Sequence, residues 1–126
     1  MHYLNLIEES NPMTKVGIIA CKLRWDMGCA KFSSHVSCFL ACMNKKGNFQ
    51  DLDNPIIVAF DSCNGCPGKG RFEKAEVMVT TLKVDVIMLA SCCYKPPKCI
   101  HIAQSANDIE EKLKIRVMKG TISKEE

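Results

Sequence analysis

The chain predicts an α/β fold: a three-layer sandwich on an open, mainly parallel sheet of about four strands, Rossmann-like or flavodoxin-like in its winding. Three observations carry that expectation. Strand-length apolar runs recur at "KVGIIAC", "NPIIVAFDSC" and "VDVIMLASC". Segments of helical periodicity separate them. A length of 126 residues suits one domain, which buries roughly two-thirds of its unfolded surface and so needs no disulfide or metal merely to own a core. Each run is rich in β-branched residues and apolar on both faces, as strands covered by helices on either side must be.

A polar prelude ending "ESNPMT" marks residues 1–14 as a short N-terminal extension and leaves 15–126 as a single domain. The first strand run occupies 15–21. A helix is expected in "SSHVSCFLACMNKKG", with Ser33 or Ser34 as N-cap, Gly47 as terminator, and Val36, Phe39, Leu40 and Met43 along its apolar side. After the second run, "RFEKAEVMVTTLK" spaces Phe72, Ala75, Val79 and Leu82 for another helix. After the third, "HIAQSANDIEEKL" does the same with Ile102, Ala106, Ile109 and Leu113, while Ser105 and Asp108 have the spacing of a later capping box. The last run, "KIRVM", alternates and stops before Gly120, as an edge strand would. The order βαβαβαβ calls for right-handed crossovers in one sheet.

Sulfur is the compositional anomaly, with nine cysteines against one Trp and two Tyr. The opening "MHYLNLIEES" brings two acids before any long apolar run, unlike a signal peptide, and no stretch approaches the ~20 apolar residues of a membrane span. A cytoplasmic protein with no membrane partner is therefore expected. In a reducing cytosol, clustered cysteines are metal ligands or catalytic thiols more often than disulfides, and an odd count fits a disulfide framework poorly. The net charge of +3 is small and evenly spread, which argues against a nucleic-acid partner.

The cysteines fall where strands end. Cys21 closes the first run, Cys63 and Cys66 follow the second, and Cys92 and Cys93 close the third. In a parallel sheet those ends share one edge, with neighbouring strands ~4.8 Å apart. That edge is also where open α/β sheets place ligands. Loop residues Cys29 and Cys99 lie on the same side, Cys38 could join if its helix begins nearby, and Cys99-Ile-His101 adds an imidazole. Thiolates suit zinc and iron–sulfur clusters, and C-x-x-C lets two sulfurs grip one ion through a turn whose glycine accepts positive φ. The same strand, C-x-x-C, helix arrangement also suits a redox dithiol, since helix N-terminal amides lower a thiol's pKa. Metal is placed ahead of redox because the surrounding thiols would compete for mixed disulfides.

From residue 15 onward the chain resembles the CGGC domain family, small prokaryotic proteins to which metal binding is ascribed. The family's name motif appears as "CNGCPGK", with Asn64 in place of the first glycine. Further matching stretches are "VGIIAC", "CFLACMNKKGNF", "VDVIMLASC" and "PKCIHI", and the resemblance spans roughly residues 15–120. It implies metal-ligand roles for Cys21, Cys38, Cys63, Cys66, Cys92, Cys99 and His101, with Cys29 added. It also implies zinc as the first metal and an iron–sulfur cluster as the second; spacing does not separate them. The family's closing Gly-Thr-His reads "GTI" here, so Ile122 removes one possible ligand, and Ile100 replaces the proline before His101.

Plainer readings stand beside these. Cys42 is expected in the core as a small hydrophobe. Cys92 and Cys93 are adjacent, so only one is expected to face a given side. Lys69 and Arg71 are either solvated or positive neighbours of thiolates. "GCPGKG" lacks the spacing and hydroxyl of a phosphate-binding P-loop, and Cys66 to Arg71 is one residue short of a cysteine-phosphatase loop. The expected function is a metal-binding protein with a thiolate-rich site at the carboxyl edge. The alternative is a thiol oxidoreductase or sulfur carrier using Cys63 and Cys66, and a third option is a flavodoxin-like binder of a small anion at the glycine-rich loop.

Overall fold

The computed structural model describes residues 12–27, 36–65, 69–95 and 98–125. Strands β1 (Thr14–Ala20), β2 (Pro55–Ser62), β3 (Val86–Leu89) and β4 (Arg116–Lys119) form one all-parallel sheet in the order β2-β1-β3-β4. Helices α1 (Lys22–Met27), α2 (Val36–Met43), α3 (Lys69–Thr80) and α4 (Ile102–Leu113) flank it, with 3₁₀ turns at Gly47–Asp51 and Ser91–Cys93. This is the expected α/β architecture of the Rossmann or flavodoxin kind, and β4 is the edge strand its alternation announced.

Alternate residues of the central strands feed two cores, because successive side chains point to opposite faces. Val16, Ile18, Val86 and Met88 pack with Ala41, Cys42 and Phe49 on the α2 side. Ile19, Ile87 and Leu89 pack with Ala75, Met78, Ala106 and Ile109 on the α3–α4 side. Each fully buried aliphatic side chain contributes about 1.5–3 kcal/mol relative to exposure. Helix α4 matches its pattern: Ile102, Ala106 and Ile109 are buried.

Three local expectations are corrected. Val36, Phe39, Leu40 and Met43 do not form the inward side of α2; they are exposed, and Ala41 and Cys42 are buried instead. Phe39 instead meets the Phe60 ring at 5.4 Å, while Trp25 of α1 meets the same ring at 5.3 Å. The run that became β2 is not covered on both faces. It lies at the sheet edge with Ile56 and Val58 exposed, and Val58 is skipped in the register, since Val16 pairs with Ile57 and Gly17 with Ala59. Ser105 and Asp108 form no capping box: Ser105 lies within α4 and accepts a hydrogen bond from Arg71, and Asp108 takes one from Gln104. The Ser33 or Ser34 cap lies outside the described residues.

Helix α1 was not foreseen, its six residues being too few for a periodic signal. The 3₁₀ turn at Gly47–Asp51 is pinned by buried Asn48, whose Nδ2 donates to the carbonyls of Lys119 and Gly120, both at 2.9 Å. These bonds tie the end of β4 to the α2 side.

Candidate functional site at the carboxyl edge of the sheet

The order β2-β1-β3-β4 puts the reversal of strand order between β1 and β3, and the crevice beyond their carboxyl ends is where this architecture binds ligands. Cys21 follows β1, Cys63 follows β2, and Cys92 and Cys93 follow β3. Backbone bonds hold these ends together: the Cys63 amide donates to the Ala20 carbonyl at 2.8 Å and the Ala90 amide to the Ile19 carbonyl at 3.0 Å. The loop after β3 returns Cys99 to the same place, its amide donating to the Cys93 carbonyl at 3.0 Å. Every described cysteine is a free thiol.

The turn after β2 carries the C-x-x-C motif. Asn64 and Gly65 both take positive φ, +66° and +98°. Asparagine tolerates the left-handed region better than other side chains, which is why Asn64 can stand where the family motif has glycine. The Lys22 amide at the start of α1 donates to Cys63 Sγ at 3.4 Å. Across the turn, α3 begins so close that a Cβ on Gly70 would lie 2.6 Å from the Cys63 carbonyl oxygen. Cys66 lies outside the described residues, as does Cys29.

Adjacent Cys92 and Cys93 take opposite faces, as their neighbouring positions required. Cys92 packs against the α2-side core and Cys93 against the α3–α4 core. Bonding between their neighbouring thiols divides their acidities in the electrostatics of the pair, while Cys93 Sγ also points to the Ile19 carbonyl at 4.0 Å. The bond to Cys93 first, then the Cys21 amide and the charge of Arg24, bring the Cys92 thiol down to about 7 against its burial. Cys93, fully buried, is held protonated by the bond to Cys92 and by burial.

Arg71 is the residue the sequence left undecided. It is not solvated: its side chain is 1% exposed, inside the α3–α4 layer. One guanidinium nitrogen donates to Ser105 Oγ at 2.7 Å and another reaches Cys99 Sγ at 3.5 Å. Burial works against its charge, but the fields of Cys93, Cys99 and Cys63 outweigh it and raise its pKa further. Tyr94 stands by the same group, and burial together with Cys93 pushes its hydroxyl well above the ordinary phenol range.

The remaining expected residues are spread around this centre. Cys38 packs on the α2 side and its thiol pairs with Thr121 Oγ1 at 3.1 Å. His101 occupies the N-cap position of α4, half-buried and with no side-chain capping bond. Cys42 is the core thiol it was expected to be; it donates to the Pro55 carbonyl at 3.3 Å, and burial pushes its pKa up. Asp61, at the end of β2, pairs with Lys74 at 2.6 Å. Among the described residues, no three His, Cys, Asp or Glu side chains are grouped to hold a metal ion. Arg71 and Tyr94 are the components that sequence reading did not place, because an interior arginine carries no periodic signature.

The profile of the CGGC domain matches residues 15–122. An uncharacterized protein of Methanocaldococcus jannaschii is 34% identical over 109 residues, which cover 85% of each chain. No solved structure matches the chain.

Proposed function

Because the chain belongs to the CGGC domain family, we propose that it binds metal through thiolates gathered at the carboxyl edge of its sheet, zinc first and an iron–sulfur cluster second. One observation carries the reading: Cys21, Cys63, Cys92, Cys93 and Cys99, distant in sequence, lie around the ends of three adjacent strands. Thiolates are soft donors that suit both metals.

The donor chemistry fits a cation on one side of this group better than on the other. Cys92 loses its proton near neutral pH and is bonded to the Cys21 amide, so little proton competition opposes a metal there. Around Cys63, Cys93 and Cys99 the Arg71 guanidinium weakens the hold on a cation, which makes Cys63 and Cys99 secondary donors. We therefore assign the leading ligand roles to Cys21 and Cys92, with Cys66 and Cys29 as further donors. Cys38, Cys63, Cys99 and His101 complete the proposed set. A bound zinc would hold thiolates together and, with an open position, acidify a water. Ile122 follows buried Thr121 at the end of β4, so the histidine that the family places there is not among the donors. The reading places the protein in the cytoplasm, where thiols stay reduced, with a metal ion as partner and neither nucleic acid nor membrane. No described helix is long and apolar enough to cross a membrane.

Metal content per chain in single variants tests the assignment. Cys92→Ser and Cys66→Ser lose metal, while Cys42→Ser, altered in the core, retains it. Equal loss from all three, with the fold intact, would sink the assignment.

The Lys22 amide bonded to Cys63 Sγ favours a second reading, a thiol oxidoreductase or sulfur carrier at Cys63 and Cys66. Such an enzyme would reduce a disulfide substrate to two thiols as its own two thiols join in a disulfide, a two-electron, two-proton exchange. A metal-free native protein whose Cys63 and Cys66 cycle reversibly would favour it.

A further inference from the structure

The α3–α4 side of the edge carries a buried positive charge and, among the described residues, an incomplete set of partners for it. A guanidinium stays protonated in proteins, and burying a charge without a counter-charge costs several kcal/mol. Arg71 is 1% exposed, yet the ion pairs among the described residues are Lys22–Asp26, Lys74–Asp61, Lys95–Glu125 and Lys124–Asp51, none of which includes it. Its neighbours are the thiols of Cys63, Cys93 and Cys99 and the hydroxyl of Ser105. Among the described residues, two buried donors there have no hydrogen-bond partner, Arg71 Nε and Tyr94 Oη. Leaving a buried donor unpaired costs about as much as a lost hydrogen bond. Both donors lie near the same thiols: Arg71 reaches Cys99 Sγ, the Cys99 amide bonds to the carbonyl of Cys93 next to Tyr94, and Tyr94 and Cys99 pack against the same core as Cys93.

We propose that Arg71 and Tyr94 form a binding site for a small inorganic oxyanion beside Cys63, Cys93 and Cys99. An acceptor-only ligand satisfies both unpaired donors and neutralises the guanidinium at once. The planar guanidinium fork matches the oxygen pair of a sulfate- or phosphate-like group. Cys99 and Tyr94 are half-buried, so the buried donor atoms lie one side chain below the surface. It borders the proposed metal set at Cys63 and Cys99, but it rests on Arg71 and Tyr94, which are not metal ligands, while the leading metal donors are Cys21 and Cys92. Either can fail without the other.

Thermal unfolding of the reduced protein is measured in low millimolar sodium sulfate, phosphate or thiosulfate against sodium chloride at matched ionic strength, with metal content recorded on the same preparation. The expected result is a saturable rise of several degrees in Tm with at least one oxyanion. General salt exclusion would instead grow without saturating. Tyr94→Phe, which keeps the ring and the packing, weakens the apparent affinity about ten-fold, the loss of one hydrogen bond. Arg71→Met abolishes the response. If Arg71→Met does not fold, Arg71→Lys replaces it and lowers the affinity by a similar or larger factor. No saturable response in the native protein, or a response unchanged in Tyr94→Phe and the arginine variant, overturns the proposal and leaves Arg71 as a brace between α3 and α4.

Discussion

Replacing Cys93 by alanine should restore ordinary acidity to its neighbour. In the native protein the Cys93 thiol is the largest cause of the fall of Cys92 from 9.0 to about 7, with the Cys21 amide and Arg24 adding to it. At pH 7 that fall raises the ionised fraction of Cys92 from about 1% to about half. Its folded value lies below its unfolded one, so the stability it contributes is fully present above about pH 9 and is lost as pH falls through about 7. Two pH units at about 1.4 kcal/mol each bound that contribution at roughly 3 kcal/mol. Cys93 works in the opposite sense, because its thiol is held protonated and its own contribution declines above about pH 9. The window to read is therefore pH 7 to 9. The assay is the ultraviolet absorbance of thiolate in metal-free, reduced protein, taken as the difference between the native chain and Cys92→Ser. Cys93→Ala should move the midpoint toward 9, whereas Cys93→Ser, which keeps a donor, should leave it low. A native midpoint near 9, or one unmoved in Cys93→Ala, would refute the reasoning.

Other substitutions test the scaffold. Gly70→Ala drives a Cβ to 2.6 Å from the Cys63 carbonyl oxygen, a backbone atom that cannot yield easily, and should destabilise by about 1–3 kcal/mol in denaturant unfolding. Asn48→Ala removes two hydrogen bonds that hold the end of β4 and should cost about 1–3 kcal/mol, read as a lower Tm. Ile109→Ala, at a fully buried position of α4, should cost about 2–5 kcal/mol in the same assay. Lys74→Ala breaks a half-exposed ion pair with Asp61 and should cost less than about 1 kcal/mol, with Asp61 becoming easier to protonate once its lysine partner is gone.

What could be read from the sequence followed from periodicity and from strand ends. The central strands β1 and β3 are apolar on both faces because helices cover both faces, so their runs announced a parallel sheet. Helix α4 showed its apolar stripe because one face meets the core and the other meets water. Strand ends locate cysteines at one edge whatever the detailed packing, which made the convergence of Cys21, Cys63, Cys92 and Cys93 legible. Period alone misled at α2. Its apolar residues exceed what one face can bury, and the small side chains of Ala41 and Cys42 approach the sheet more closely than Phe39 or Met43 can. At β2, an edge position is a property of strand order, which no local pattern encodes. Arg71 was undecidable for a related reason: whether a long basic side chain turns inward depends on what packs opposite it, here Ser105 of α4 and Cys99 of the preceding loop.

Metal and acid-labile sulfide per chain, determined on protein purified without oxygen and without added metal, test the central claim most directly. The account predicts zinc at a whole-number ratio with no sulfide; iron with matching sulfide would keep the thiolate site and change its metal. Folded protein with all its thiols free and no metal would contradict the account.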